Sequence, residues 1–364
     1  MTDKPELLRI FQKPTDKLIY HQDLAFTIGW MLHNRCTYNC SYCPPANKAG
    51  DDAWLKMDNI MEFVDIANKK IRESNPEKRI RCVFSGGEPT VWKGFGELIR
   101  TLSGEYGWGL SLSTNGSRSY KWWKENRKHF IHTVFSYHTE SVNDEEFFEK
   151  VNMVSETTAC AVSIMMNTNP EYFWRAIEFG ERLAKENRTI YISYHPIQLN
   201  FGMQDINVQP YNEELAPVAK KYGSNPRRGF FKKGTYVLDV NKYYGEWSDY
   251  EEREVYGIDI VSTDEVNFEG WKCWAGLESI FIDEKGQVCV GTCRNPYPGA
   301  PHTNYYDDKK HRESSLGSIL DPKNIVWPAH PVVCERKHCG CVTDIHNSKV
   351  KYYDKDSIIP IHTY

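Results

Sequence analysis

The sequence predicts an α/β fold: parallel strands alternating with helices, followed by a small cysteine-rich domain. Three observations carry this. Short apolar or alternating runs are separated by stretches of helical period. Six such strand–helix units come before about residue 200. Six of the eleven cysteines fall after residue 270. Alternation of this kind means parallel strands joined by right-handed crossovers. A chain of 364 residues can bury a large core and hold one main domain plus a smaller one.

The first strand is expected over residues 25–32. The helix at 57–73 follows from Ile60, Phe63, Val64, Ala67 and Ile71, which recur on one face. The apolar run at 80–84 stops at Gly86-Gly87 and reads as a buried strand entering a tight turn. A helix at 95–102 precedes an alternating strand at 109–114 that ends in polar residues and Gly116. The helix at 120–128 carries Lys121-Trp122-Trp123-Lys124, whose tryptophans are assigned to the core. Strands at 132–137, 159–166 and 189–195 and helices at 144–150 and 171–186 complete the alternation. Cys82 and Cys160 lie inside strands and read as buried core thiols.

From about Asn200 to Asn267 the periodicity breaks, as expected of a linker or lid. Beyond it, residues 279–283 and 287–290 read as two strands joined by a glycine-containing turn. Such a hairpin can bring Cys273 and Cys293 together. The expected division is 1–200, 201–267 and 268–364.

Cys36, Cys40 and Cys43 stand in RCTYNCSYCPP. Three thiolates so spaced can hold three corners of a [4Fe–4S] cube and leave the fourth iron open. Structural zinc is the alternative, but zinc wants four protein ligands there. His33 is the only nearby fourth, on the wrong side for a compact knuckle. Tyr42, just before the third cysteine, can pack against a bound ligand. Gly86 and Gly87 allow close backbone approach, and exposed backbone groups with the Glu88 carboxylate can hold an ammonium group.

The Cys-x3-Cys-x2-Cys run, with an aromatic before its last cysteine, resembles the signature of the radical S-adenosylmethionine (radical SAM) enzymes. Ser85-Gly86-Gly87-Glu88-Pro89 resembles that family's GGEP motif, which contacts the amino group of SAM. Ser113-Thr114-Asn115-Gly116 resembles its TNG segment. The resemblance implies a partial (β/α)6 TIM-like barrel with its reactive site at the C-terminal strand ends. It also implies a [4Fe–4S] cluster with SAM, a flavodoxin- or ferredoxin-like electron donor, and reductive cleavage of SAM to a 5′-deoxyadenosyl radical that takes a hydrogen atom from the substrate, leading to rearrangement or oxidation. Tyr42, Ser85, Gly86, Gly87, Glu88, Ser113, Asn115 and Ser163 are the expected SAM neighbours. Further candidates at strand ends are Tyr137, His138, Tyr191, Tyr194 and His195. Alternation sends some of these into the barrel and others towards the helices, and a structural role is open for each histidine.

Cys273, Cys289, Cys293, Cys334, Cys339 and Cys341 are similar in arrangement to the SPASM and Twitch auxiliary-cluster modules. The CxAG…IDxxG stretch from Cys273 to Gly286 carries most of the likeness, while one cysteine of the full pattern is missing. The resemblance implies one auxiliary [4Fe–4S] cluster on Cys273, Cys293 and two of Cys334, Cys339 and Cys341, with Cys289 as bystander. Structural zinc is again the alternative.

The formal charge of −4 excludes a bulk polycationic surface. There is no apolar run of 18 residues and the start, MTDKPELLRI, lacks a signal core, so a cytoplasmic protein without membrane contact is expected. In RRGFFKKG, Arg227, Arg228, Phe230 and Lys232 combine charge with aromatics, which can bind phosphates and stack on bases. The bland reading is a solvated basic turn. A nucleotide or nucleic-acid base is the expected substrate. A peptide side chain and a small molecule such as a sugar or antibiotic precursor are the alternatives. With 35 residues ahead of Cys36, no leader-peptide recognition domain is expected. An iron–sulfur electron carrier is the non-enzymatic alternative, against which the GGEP and TNG segments speak.

Overall fold

The computed structural model describes residues 15–20, 25–44, 48, 50, 56–73, 75–197, 209–223, 242–247, 252–256, 267–298, 300–306, 311–337, 339, 342–345 and 347–350. Six strands lie side by side in chain order, each parallel to the next: β2 (Phe26–Met31), β3 (Ile80–Ser85), β4 (Gly109–Thr114), β5 (Phe130–Tyr137), β6 (Ala159–Met166) and β7 (Tyr191–Pro196). The crossovers are α1 (Met57–Arg72), α2 (Phe95–Gly104), α3 (Tyr120–Asn126), α4 (Asp144–Ser155) and α5 (Pro170–Glu186). This is the expected α/β partial barrel, with element ends displaced by a few residues.

Strand alternation sorts the side chains into two layers. Along β3, Ile80, Cys82 and Phe84 are buried with the helices' apolar faces, while Arg81, Val83 and Ser85 take the other face. The α1 residues Ile60, Phe63, Val64, Ala67 and Ile71 are all buried. Cys82 and Cys160 are core thiols. Helix starts follow local chemistry. Asn143 accepts from the Glu146 N–H, and Asp144, Glu145 and Glu146 fill the positive end of α4. Asn169 caps α5 ahead of Pro170.

The structure departs from the expected division in two places. The first strand, β1 (Thr15–Tyr20), does not join the barrel sheet. It pairs antiparallel with β8 (Lys242–Trp247), which in turn pairs with β9 (Glu252–Tyr256), inside the region read as irregular. That region also contains α6 (Leu215–Gly223), which buries Leu215 and Ala219. Its strands are short, and β8 also finds a partner far away in β1, so no local period announces them.

The C-terminal part contains β10 (Lys272–Cys273), β11 (Ser279–Ile282), β12 (Gln287–Cys289), β13 (His302–Tyr306), β14 (His311–Ser315), β15 (Gly317–Ser318), β16 (Val332–Val333), α7 (Val342–Ile345) and β17 (Lys349–Val350). The expected hairpin is β11–β12. Its turn is held by Asp283 Oδ1, which accepts from the N–H groups of Lys285 and Gln287 at 2.9 and 2.8 Å. Gly286 follows in the left-handed region (φ 76°). The hairpin also extends the barrel: β11 lies parallel to β2, from Ser279 opposite Thr27 to Ile282 opposite Trp30. A second sheet runs β16–β10–β17–β1–β8–β9 and ties both ends of the described chain together. Among the described residues no helix is long and apolar enough to cross a membrane.

Candidate functional site

Beyond β2 the chain continues alongside the end of β3. Leu32 N–H donates to Ser85 O (3.0 Å), Gly87 N–H to His33 O (2.8 Å) and Glu88 N–H to Arg35 O (2.8 Å). A Cβ on Gly86, where φ is 121°, would stand 2.3 Å from His33 O, and one on Gly87 would stand 2.2 Å from Arg35 O. The glycine pair therefore lets the segment leading into Cys36 lie flat against the turn. His33 is fully buried, and its Nδ1 accepts from Arg35 N–H at 3.0 Å.

Asn115, at the end of β4, reaches the same loop. Its Nδ2 donates to Thr37 Oγ1 (3.1 Å) and lies 3.4 Å from Cys36 Sγ, which also receives the Tyr38 N–H at 3.4 Å. Burial pushes the Cys36 thiol up, and these donors oppose it by favouring the thiolate. Burial also raises Cys43, and takes Cys40 to about 11. Lys48 Nζ donates to Cys40 O at 2.7 Å.

Glu88 is fully buried, and its carboxylate is hydrogen-bonded within the protein. Its Oε1 accepts from Thr90 N–H (3.2 Å), Thr90 Oγ1 (2.6 Å) and Thr114 Oγ1 (2.8 Å), and its Oε2 from Asn115 N–H (2.6 Å). Its carboxylate joins the ends of β3 and β4 from beneath. Burial raises its pKa, with the hydrogen bonds acting in the opposite direction.

The third wall comes from β5. His138 Nδ1 is 2.6 Å from the Tyr42 hydroxyl, the two rings are stacked, and Tyr38 meets the imidazole edge-on. Burial pulls the His138 imidazole down to about 4, so near neutrality a neutral imidazole shares this hydrogen bond with the tyrosine hydroxyl. Glu140 was not anticipated. It accepts from Ser41 N–H, Ser41 Oγ and Asn167 Nδ2, each at 2.6 Å, and so fastens the cysteine loop to the ends of β5 and β6. Its pair of positions after a histidine at a strand end is the only signal for it in the sequence.

Two of the tyrosine candidates face the helices. Tyr137 is buried, stacks on Phe179 at 4.0 Å and donates to Asp144 Oδ1 at 2.6 Å, beside the Arg175 guanidinium. Tyr194 packs its hydroxyl end against Gly180 and its ring against Tyr222. Alternation thereby removes both from the barrel interior. Ser136, Ser163 and Ser193 stand in register across β5, β6 and β7 on the opposite face, with His195 Nε2 2.8 Å from Ser193 Oγ. Tyr191 shares that face by alternation. Ser85 and Ser113 occupy the corresponding face of β3 and β4.

A second group of thiols lies in the C-terminal part. Cys273 stands opposite Val332 and Lys349. Cys334 N–H donates to Trp271 O, and its carbonyl accepts from Gly270 N–H, both at 2.8 Å. Cys293 N–H donates to Asp344 Oδ2 at 2.7 Å. Burial takes Cys273 to about 11 and raises Cys293 and Cys339 well above the ordinary thiol range, and the fields of Cys273 and Cys334 add to both. Cys289 is buried in β12. Cys341, Arg227, Arg228, Phe230 and Lys232 lie outside the described residues. Among the described residues no group of three or more His, Cys, Asp or Glu side chains is set to hold a single metal ion.

Residues 30–194 match the radical SAM superfamily. The chain is 38% identical to a GTP 3′,8-cyclase of Helicobacter pylori strain HPAG1 over 98 residues, 26% of this chain and 28% of that protein. It is 40% identical to the protein of the same name from H. pylori strain ATCC 700392 / 26695 over 86 residues, 22% of this chain and 25% of that one. The chain thus spans about a quarter of the length of these curated relatives. Among solved structures, native anSMEcpe with bound AdoMet aligns at 15% identity with a TM-score of 0.48, covering 83% of this chain and 81% of that one.

Proposed function

Residues 30–194 belong to the radical SAM superfamily, and from that premise we propose that the protein is a radical SAM enzyme in which Cys36, Cys40 and Cys43 hold a [4Fe–4S] cluster. The observation that carries this is the convergence of three strand ends on one cysteine loop: β3 through Gly86-Gly87, β4 through Asn115 and β5 through Glu140 and His138. The donor set fits the cluster: three thiols on one loop, with N–H groups aimed at Cys36 Sγ. When bound, the cluster and SAM supply the electron and the 5′-deoxyadenosyl radical that abstracts a hydrogen atom from the substrate.

The chain's own residues position that chemistry. Glu88 holds Asn115, and Asn115 orients Cys36. The glycine turn and Glu88 lie beside the cysteine loop, where the ammonium group of SAM would be met in this reading. Tyr42 and His138 form a stacked aromatic wall, and Ser85, Ser113, Ser136 and Ser163 line the polar interior. Cys273, Cys293, Cys334 and Cys339, with Cys341 as a further candidate, hold an auxiliary [4Fe–4S] cluster in this reading, supported by the mutual fields of the buried thiols. An electron donor of flavodoxin or ferredoxin type is the required partner.

The substrate reading is a nucleotide, supported by the partial likeness to GTP 3′,8-cyclases. Anaerobic reconstitution with iron, sulfide, SAM and dithionite should yield 5′-deoxyadenosine, and Cys40→Ala should abolish it. Wild-type yield with full iron content in that variant would overturn the assignment. Purine nucleoside triphosphates should accelerate 5′-deoxyadenosine release; no effect from any nucleotide would overturn the substrate reading and leave the cleavage result standing.

A further inference from the structure

Lys349 lies in β17 directly opposite Cys273 in an antiparallel ladder. It is 1% exposed. Its ammonium group is held by three backbone carbonyls: Asp344 O at 2.9 Å, Ile345 O at 3.2 Å and Asn347 O at 2.8 Å. The Phe268 ring centroid is 5.1 Å from Nζ. Acceptors alone surround this nitrogen, the environment of a protonated amine. A buried lysine is rare unless its charge is answered. Here the three carbonyls answer it at close range, with the Asp344 carboxylate within its field. Asp344 is itself fixed, accepting from Thr292 N–H (3.0 Å) and Cys293 N–H (2.7 Å). On the far side of Cys293, the buried Arg336 donates through Nε to Cys293 O at 2.9 Å.

We infer that Lys349 is a fixed cation that sets the reduction potential of an iron–sulfur cluster held by the C-terminal cysteines. The inference rests on the auxiliary-cluster reading above. Taking up one electron makes such a cluster one unit more negative without breaking any bond. A cation locked beside a cysteine ligand favours the more negative state and raises the potential, and Asp344 acts against it. Lys349 would make the site easier to reduce than the same thiols without it. Nothing about position 349 suggests this locally, because a lysine in SKVKYY reads as an exposed charge.

The test uses the full chain with Cys36, Cys40 and Cys43 replaced by alanine, so that only the C-terminal site titrates, with the midpoint potential read from the EPR signal of the reduced cluster. Lys349→Gln keeps amide donors for the carbonyls and removes the charge; its potential should fall with iron content unchanged. Lys349→Arg should stay near the parent value, and Asp344→Asn should move the potential upward. An unmoved potential in Lys349→Gln overturns the inference, and so does an equal fall in Lys349→Arg. Should Lys349→Gln fail to retain iron, Asp344→Asn decides: no shift, or a downward one, overturns it. Zinc in place of iron in the parent protein would overturn the auxiliary-cluster reading itself, a different failure from an iron site indifferent to Lys349.

Discussion

Glu88 and His138 show how burial assigns work to single residues at this site. Glu88→Ala removes the acceptor for the Asn115 and Thr90 N–H groups and for two hydroxyls, all in a dry environment. Orphaned buried donors cost about 1–3 kcal/mol each. Urea denaturation of the variant should show a loss of at least about 2 kcal/mol, with reduced iron loading because Asn115 no longer points at Cys36. His138 carries the pH dependence. Its folded pKa of about 4 lies below the ordinary histidine value, so the unfolded chain binds the proton more readily. Its stability contribution is present above about pH 6.5 and is lost as pH falls towards 4, a span worth about 3 kcal/mol. Denaturation at pH 8, 6.5 and 5 should show wild type losing stability more steeply than His138→Gln. The sequence made the types of these residues legible but not their partners. It shows a glutamate after two glycines, and only the fold shows that threonine and asparagine donors have already taken up its oxygens. Tyr137 and Tyr194 were open for the same reason, since the face a strand residue takes depends on which side the helices cover.

The barrel strands and helices could be read from the chain because each carries its own period, as α1 does through Ile60, Phe63, Val64, Ala67 and Ile71. The two-residue strands β10, β16 and β17 are too short for any period, and β1 and β8 are joined across a long stretch of sequence. At this scale the glycine turn is the sensitive joint. Gly87→Ala places a Cβ against Arg35 O, so the cysteine loop must lift. The variant should lose the iron of the N-terminal site while the C-terminal site stays loaded, by iron analysis and EPR. The seam between β11 and β2 is the other joint. Ile280 is 1% exposed opposite Ile28, and Ile280→Ala should cost about 2–5 kcal/mol, measured by chemical denaturation. If the hairpin were only an appendage, the barrel would not register that change.

For the molecule as a whole, the reading of two clusters makes a simple count. Reconstituted protein should hold about eight irons per chain, and the triple variant Cys36→Ala, Cys40→Ala, Cys43→Ala about four. Zinc in the remaining site would turn the C-terminal part into a structural clamp. Two groups of cysteines were legible in their spacing. That the β11–β12 hairpin extends the barrel sheet was not, because the parallel contact of β11 with β2 joins segments about 250 residues apart and leaves no trace in either.

The pairing of β1 with β17 bears on how the protein is born. Lys17 stands opposite Val350, so a strand made early in this stretch waits for one made more than 300 residues later. At ordinary rates of synthesis that wait is roughly 20 to 70 s. During it, the edge of β2 that β11 will cover is also open, and an open edge is a template for pairing with a neighbouring chain. The barrel can collect its helices as they emerge, but the sheet that encloses the C-terminal thiols cannot close until β17 has been made. Nascent chains stalled before β17 should therefore be those that aggregate, with their C-terminal cysteines still open to oxidation.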